Sequence, residues 1–229
     1  MKFVLFDTET TGLPRDFGTS AYKEPNNWPH IVSISWAVMD DKFNKVLSSQ
    51  SYIIKPRGWE IPFESTAIHG ITTSEAMEHG YDLAEVMDKF FAIDCDGYIA
   101  HNMNFDKNVV YNAMLWDLNY KFFMGFGKPS LCTMILGRSM CKLPKNKQPK
   151  LFELYNWATK KEVNLAKLHN SMFDTLVLCD CISASDEIRI SLLKGYELQL
   201  NARKTNVTSI IQESSSQAFG FQGGVNFVV

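Results

Sequence analysis

Apolar residues open the chain almost without interruption, with Phe3, Val4, Leu5 and Phe6 leading straight into the acidic segment of FDTETTGL. A short apolar run that ends in a Thr-Gly turn predicts a buried strand over residues 2–7. Two more strand-like stretches follow, at residues 31–39 and 46–55. Further on the period changes. Tyr98 to Ala100 form a short apolar strand that enters a polar turn at His101 to Asn104, and Val109, Val110, Ala113 and Met114 then share one side at helical spacing. Asn104 is the expected N-cap of that helix. Phe173, Leu176, Val177, Cys181, Ala184 and Ile188 predict a second helix beginning near Ser171, which is the expected cap, with Asp174 three residues on in the first turn. Strands first, then helices mixed with shorter strands, imply an α/β class with a mixed central sheet flanked by helices.

Two stretches break the pattern. PRDFGTSAYKEPNNWP, between the first two strands, is rich in breakers and reads as a long surface loop, whose Arg15, Tyr22, Lys23 and Trp28 are either substrate contacts or surface decoration. After about residue 203 the sequence turns polar and then Gly-rich, which divides the chain into a domain over 1–202 and a partly ordered tail over 203–229. Within that tail, QAFGF at 217–221 faintly resembles the glutamine-aromatic peptides that dock on sliding clamps, so a polymerase or clamp partner is one expectation.

Composition narrows the classes further. A chain of 229 residues with 45% hydrophobic content can bury one sizeable α/β core. The formal charge of −2 argues against a protein that coats nucleic acid nonspecifically, although KLPKNKQPK gathers Lys142, Lys145, Lys147 and Lys150 into one local basic stretch. That stretch is either a nucleic-acid track or an ordinary solvated loop. Five cysteines form no paired framework, and no apolar run reaches membrane length, so a reduced, non-secreted, cytoplasmic or nuclear protein without a membrane span is expected.

The candidate chemistry sits at the ends of these elements. Residues two apart on a strand face the same way, so Asp7 and Glu9 aim at one spot while Thr8 faces away. Like charges held that close each raise the other's pKa unless a cation lies between them, and hard oxygen donors favour Mg²⁺ or Mn²⁺ over zinc. Taken alone, a D-x-E pair is more often an acidic strand end running into a Thr-Gly turn. Asp106 falls in the first turn of its helix, where a carboxylate is favoured by the dipole whether or not it does chemistry. His169 lies five residues before Asp174, too far round to share a helix face, and is therefore expected in the loop before the helix.

Together, FDTETTGL, HNMNFD and H-x(4)-D ending at Asp174 resemble the three motifs of the DEDDh (DnaQ-like) 3′–5′ exonucleases, closest to the epsilon proofreading subunit of bacterial DNA polymerase III. IPFESTAIHGITTSEA and LFELYNW also resemble epsilon-type segments. The resemblance implies a ribonuclease H-like fold and a two-metal phosphodiester hydrolase. In it Asp7, Glu9 and Asp174 bind one Mg²⁺ (Mn²⁺ substituting), Asp7 and Asp106 hold a second, and His169 takes the proton from water. It further implies that Thr8, Thr10, Thr11, Gly12, Leu13, His69, Asn102, Phe105 and Ser171 contact a substrate 3′ end in single-stranded or frayed DNA. Ribonuclease T and oligoribonuclease carry the same five catalytic residues, so RNA is the alternative substrate. A catalytically silent module that binds nucleic-acid ends is the alternative from another class.

Overall fold

The computed structural model describes residues 1–123 and 125–219, with side chains described as far as Thr205. Five strands form one sheet in the order β3-β2-β1-β4-β5: β1 (Lys2–Thr10), β2 (Ile31–Asp40), β3 (Val46–Ile53), β4 (Gly97–Ala100) and β5 (Ser130–Cys132). The first three pair antiparallel, and β1, β4 and β5 run parallel, which makes the sheet mixed as expected. Eight α-helices accompany it among the described residues: α1 (Phe63–His69), α2 (Thr73–His79), α3 (Leu83–Phe91), α4 (Met103–Asn112), α5 (Thr133–Cys141), α6 (Leu151–Thr159), α7 (Ser171–Ala184) and α8 (Asp186–Phe219).

Because β1 is the middle strand, its side chains alternate between two buried faces. Val4 and Phe6 pack with Phe90 and Tyr98 in the core under α3 and α4. Phe3 and Leu5 pack with Val177, Leu178 and Ile182 in the core under α7. Continued one step further, the same alternation sends Asp7 and Glu9 toward α7 and Thr8 toward α4. The continuous apolar run of the opening residues is thus what a strand covered on both sides requires.

Several local expectations change. Helix α4 begins at Met103, so the cap position is Asn102, in left-handed conformation (φ 81°, ψ 49°), and not Asn104. Asn104 instead accepts from the Asn108 side chain through its carbonyl and its amide oxygen. At α7 the cap is Asn170, whose Oδ1 accepts from Phe173 N–H at 3.0 Å; Ser171 is already helical. The 14–29 loop is ordered by its own bonds. Asn27 donates to the Asp16 and Thr19 carbonyls, Trp28 Nε1 donates to the Thr19 carbonyl, and Ala21 N–H donates to Asn108 Oδ1 on α4. Trp28 is only 3% exposed and belongs to the core, which removes it as a substrate contact.

Helix α8 passes through residue 203, where the composition changes, and Arg203 donates to the carbonyls of Gly127 and Lys128. Residues 217–221 lie outside those whose side chains are described. No helix among the described residues is long and apolar enough to cross a membrane. All five cysteines are free thiols.

Candidate active site

At the end of β1 the two faces of the strand meet two helix starts. Asp7, Glu9 and Asp174 each offer a carboxylate oxygen, and the three oxygens lie within 4.8 Å of one another. Asp174 reaches them from the first turn of α7. That turn is seated on β2 by small hydroxyl residues: Ser171 Oγ lies 2.9 Å from Ser33 Oγ and 2.7 Å from Ser35 Oγ, and Thr175 Oγ1 donates to the Ser171 carbonyl. Ser33 and Ser35 pair with Glu9 and Asp7 across the sheet, so one close contact fixes α7 beside both acids. This contact makes Ser171 a buried seat for the helix, 3% exposed, and it does not line the cavity described below.

Asp106 comes from the other face. Thr8, pointing toward α4, gives it two hydrogen bonds, from the amide at 3.1 Å and from the hydroxyl at 2.9 Å, both to Oδ1. Thr8 is thus the positioning partner of Asp106. Thr11 likewise serves the fold, since its amide donates to the His30 carbonyl and its hydroxyl accepts from His30 N–H.

His169 stands in the loop before α7, exposed and in left-handed conformation (φ 64°). Its backbone N–H donates to Asp174 Oδ2 at 3.0 Å, so the main chain holds the carboxylate while the imidazole stays free of that task. Asp174 Oδ1 is buried with no partner. A buried carboxylate oxygen without a donor costs roughly 1–3 kcal/mol or more, which a cation bound there would remove. The donor set is all oxygen, fitting a hard divalent ion.

Electrostatics point the same way. Burial, followed by the charges of Asp106, Glu9 and Asp174, holds the Asp7 carboxyl well above the usual range. Burial and then Asp174 and Asp106 push Glu9 up to about 8. Burial lifts Asp106 to about 7 against the opposing bonds from Thr8, and lifts Asp174 to about 6 against the bond from His169. Four carboxyls forced toward neutrality in one place form a cluster that a divalent cation would ionise.

All five residues line one cavity of about 410 Å³. Four apolar side chains share its walls: Leu13, 73% exposed, Ile68, 59%, Phe17, 55%, and Phe105. Phe17 packs edge-on against Trp28 at 6.1 Å, and Trp28 against Phe105 at 5.8 Å, a three-ring ladder that carries Phe17 to the cavity. Phe17 and Ile68 were not singled out in the sequence. Phe17 lies in a breaker-rich loop with no periodicity, and only its aromatic character within a loop near the acids marks it. Of the other expected substrate residues, Thr8, Thr10, Gly12, His69 and Asn102 line the cavity. Gly12 has φ 145°, a conformation that favours glycine, and leaves its backbone open to the cavity. His69 Nδ1 accepts from Ile71 N–H at 3.1 Å, and its buried Nε2 has no partner. His101 is spoken for, with its ring bridging Thr133 Oγ1 and the Pro149 carbonyl at 3.0 Å each.

The family model described as Exonuclease (RNase_T) matches residues 4–181. No curated protein matches the chain in sequence. Among solved structures, the zinc-bound form of an E. coli exonuclease I–ssDNA complex superposes with a TM-score of 0.62 at 16% identity, covering 91% of this chain and 44% of that one. E. coli exonuclease I with a dA16 oligonucleotide gives a TM-score of 0.60 at 16% identity, covering 84% and 43%. A moderately thermophilic exonuclease I from Methylocaldum szegediense gives 0.58 at 16% identity, covering 83% and 42%. At such identity these matches show a shared fold, and the chain spans less than half the length of each of these proteins.

Proposed function

The chain belongs to the RNase_T exonuclease family, and from that premise we propose that it removes nucleoside 5′-monophosphates stepwise from the 3′ end of single-stranded DNA. The observation that carries this reading is the convergence of Asp7, Glu9 and Asp174 within 4.8 Å, with Asp106 and His169 lining the same cavity. A catalytically silent end-binding module has no use for such a set.

In this reading Asp7, Glu9 and Asp174 would hold one Mg²⁺, and Asp7 with Asp106 would hold a second. When bound, such ions would supply an activated water and stabilisation of the leaving oxygen. The exposed imidazole of His169 accepts the proton of the attacking water, because its main chain rather than its ring is committed to Asp174. Leu13, Ile68, Phe17 and Phe105 offer apolar surface to the terminal base, and the open backbone at Gly12 allows the strand to approach closely. Single-stranded DNA is preferred over RNA because structures similar in fold hold single-stranded DNA oligonucleotides.

The test is direct. The purified chain is incubated with 5′-labelled single-stranded DNA, mismatched duplex and RNA, with Mg²⁺, Mn²⁺ or EDTA, beside Asp7→Ala. A ladder of shortened strands that needs both metal and Asp7 is expected on single-stranded DNA. Binding without cleavage on every substrate would falsify the reading.

A further inference from the structure

Three segments that line the cavity meet at a residue that stands outside it. His30 lies one position before β2, and its side chain is 30% exposed. Its main chain binds Thr11 twice: the carbonyl accepts from the Thr11 amide at 3.1 Å, and the N–H donates to the Thr11 hydroxyl at 3.0 Å. Its ring stacks flat on Trp59, with centroids 4.8 Å apart and planes 1° from parallel. Nδ1 lies 2.9 Å from one Asp117 carboxylate oxygen and 3.0 Å from the other. Facing a carboxylate, that nitrogen carries the proton and donates.

Each contact reaches a different wall. Thr11 is the middle of a turn closed by the Thr10 hydroxyl on the Gly12 carbonyl at 2.7 Å, and Gly12 and Leu13 line the cavity. Trp59 precedes α1, which brings Ser65, Ile68 and His69 to the cavity. Asp117 ends a π-helical turn, Ala113–Asp117, and its neighbour Trp116 donates through Nε1 to the Ala21 carbonyl at 2.7 Å. Consecutive side chains of this turn thus hold the 14–29 loop at its middle and at its exit. Such wide turns interrupt the regular helical bonding and are frequent at functional sites. A bulge lies beside the joint: Ser33 pairs with Glu9 but Ile31 with Thr10, so Val32 is an extra residue on β2. Bulges of this kind bend a strand and re-aim the side chains next to it.

We propose that His30 is a positioning residue, whose ring, docked on Trp59 and bonded to Asp117, sets the spacing between the turn at 10–13 and α1. That spacing is the width of the slot for the terminal base. The proposal rests on the exonuclease reading above. The four acids do not depend on this joint, since Asp7 and Glu9 lie within β1 and Asp106 and Asp174 are held by Thr8 and the main chain of His169. Loss of the ring therefore loosens the grip on the strand end and leaves the carboxylates in place.

The experiment measures KM and kcat for the first cut of two 5′-labelled single strands, one intact and one abasic at its 3′-terminal nucleotide. The wild-type chain is compared with His30→Ala, Asp117→Ala, the double variant and His30→Asn. On the intact strand each alanine variant should raise KM about tenfold, the size of one lost hydrogen bond to a charged group, while kcat stays within about twofold. The double variant should be no worse than either single one, because both remove the same bond. Asparagine offers an amide donor close to the place of Nδ1, so His30→Asn should recover most of the rise. On the abasic strand every variant should change KM less than about twofold, since the slot has then lost its occupant. Alanine variants that leave KM on the intact strand unchanged overturn the proposal. So do penalties equal on both strands, which would mean a general loosening of the fold. An intact strand left uncut by the wild-type chain overturns the exonuclease reading itself, and this proposal with it.

Discussion

At the residue scale, two of the four clustered carboxylates are each held by a donor that is not itself a carboxylate. Thr8 holds Asp106, and the main chain of His169 holds Asp174. The second arrangement allows binding and proton transfer to be separated by one substitution. Asparagine tolerates the left-handed backbone at position 169 and keeps the N–H bond, but it cannot take a proton. For His169→Asn, calorimetric titration should therefore find Mg²⁺ affinity retained while kcat falls by roughly 10²–10⁴. Ser171 separates in the opposite sense. Removing its hydroxyl leaves Ser33 and Ser35 short of a buried partner, so Ser171→Ala should lower stability by about 1–3 kcal/mol in denaturant titration. A rise in KM at unchanged stability would instead make Ser171 a phosphate ligand.

At the scale of elements, the loop between β1 and β2 acts as a rigid arm. Bonds from its side chains to its own backbone, and from its Ala21 N–H to Asn108 on α4, carry Phe17 to the cavity, so Phe17→Ala should raise KM for single-stranded DNA about tenfold, with Phe17→Trp restoring it. Equal KM values for the wild type and Phe17→Ala would show that the ring only covers Trp28. Little of this arm was legible beforehand, since loop order comes from side-chain bonds that have no period in the sequence. The strands were legible, because the covering of β1 on both sides demands an apolar run and the acids at its end follow from the two-residue repeat. The helix starts were legible only to within a residue or two. Asn102 and Asn170, the caps found, stand beside Asn104 and Ser171, the caps expected, and polar side chains of that kind compete for the same position. For the candidate site, motif order was enough to pick out five residues that the fold brings to one cavity. The hydrogen bonds of Thr8, Thr11 and Ser171 could not be foreseen, because sequence does not say which neighbouring element a hydroxyl meets.

For the molecule as a whole, the acidic cluster couples stability to pH and metal. The folded chain keeps protons on Asp174 up to about pH 6, on Asp106 to about 7 and on Glu9 to about 8, with Asp7 also raised, whereas the unfolded chain loses them near pH 4. The folded state thus binds more protons across that window, and the slope of stability with pH is negative. In EDTA the melting temperature should fall steadily as pH rises from about 5 to 8. Mg²⁺ should abolish the fall, since it takes the place of the protons, and its affinity should rise with pH over the same range. A flat melting profile in EDTA would mean that the carboxyls ionise without penalty.

The covering of β1 on both faces has one more consequence, for the order in which the site comes apart. Residues Phe3 to Phe6 are wholly buried at the centre of the sheet, so their amides should exchange with solvent only when the whole domain opens. His169 rides on an exposed loop whose amide is tied to Asp174 alone and should exchange by local opening. A thermally stressed molecule would therefore displace His169, the proposed general base, and untie Asp174 long before Asp7 and Glu9 part company.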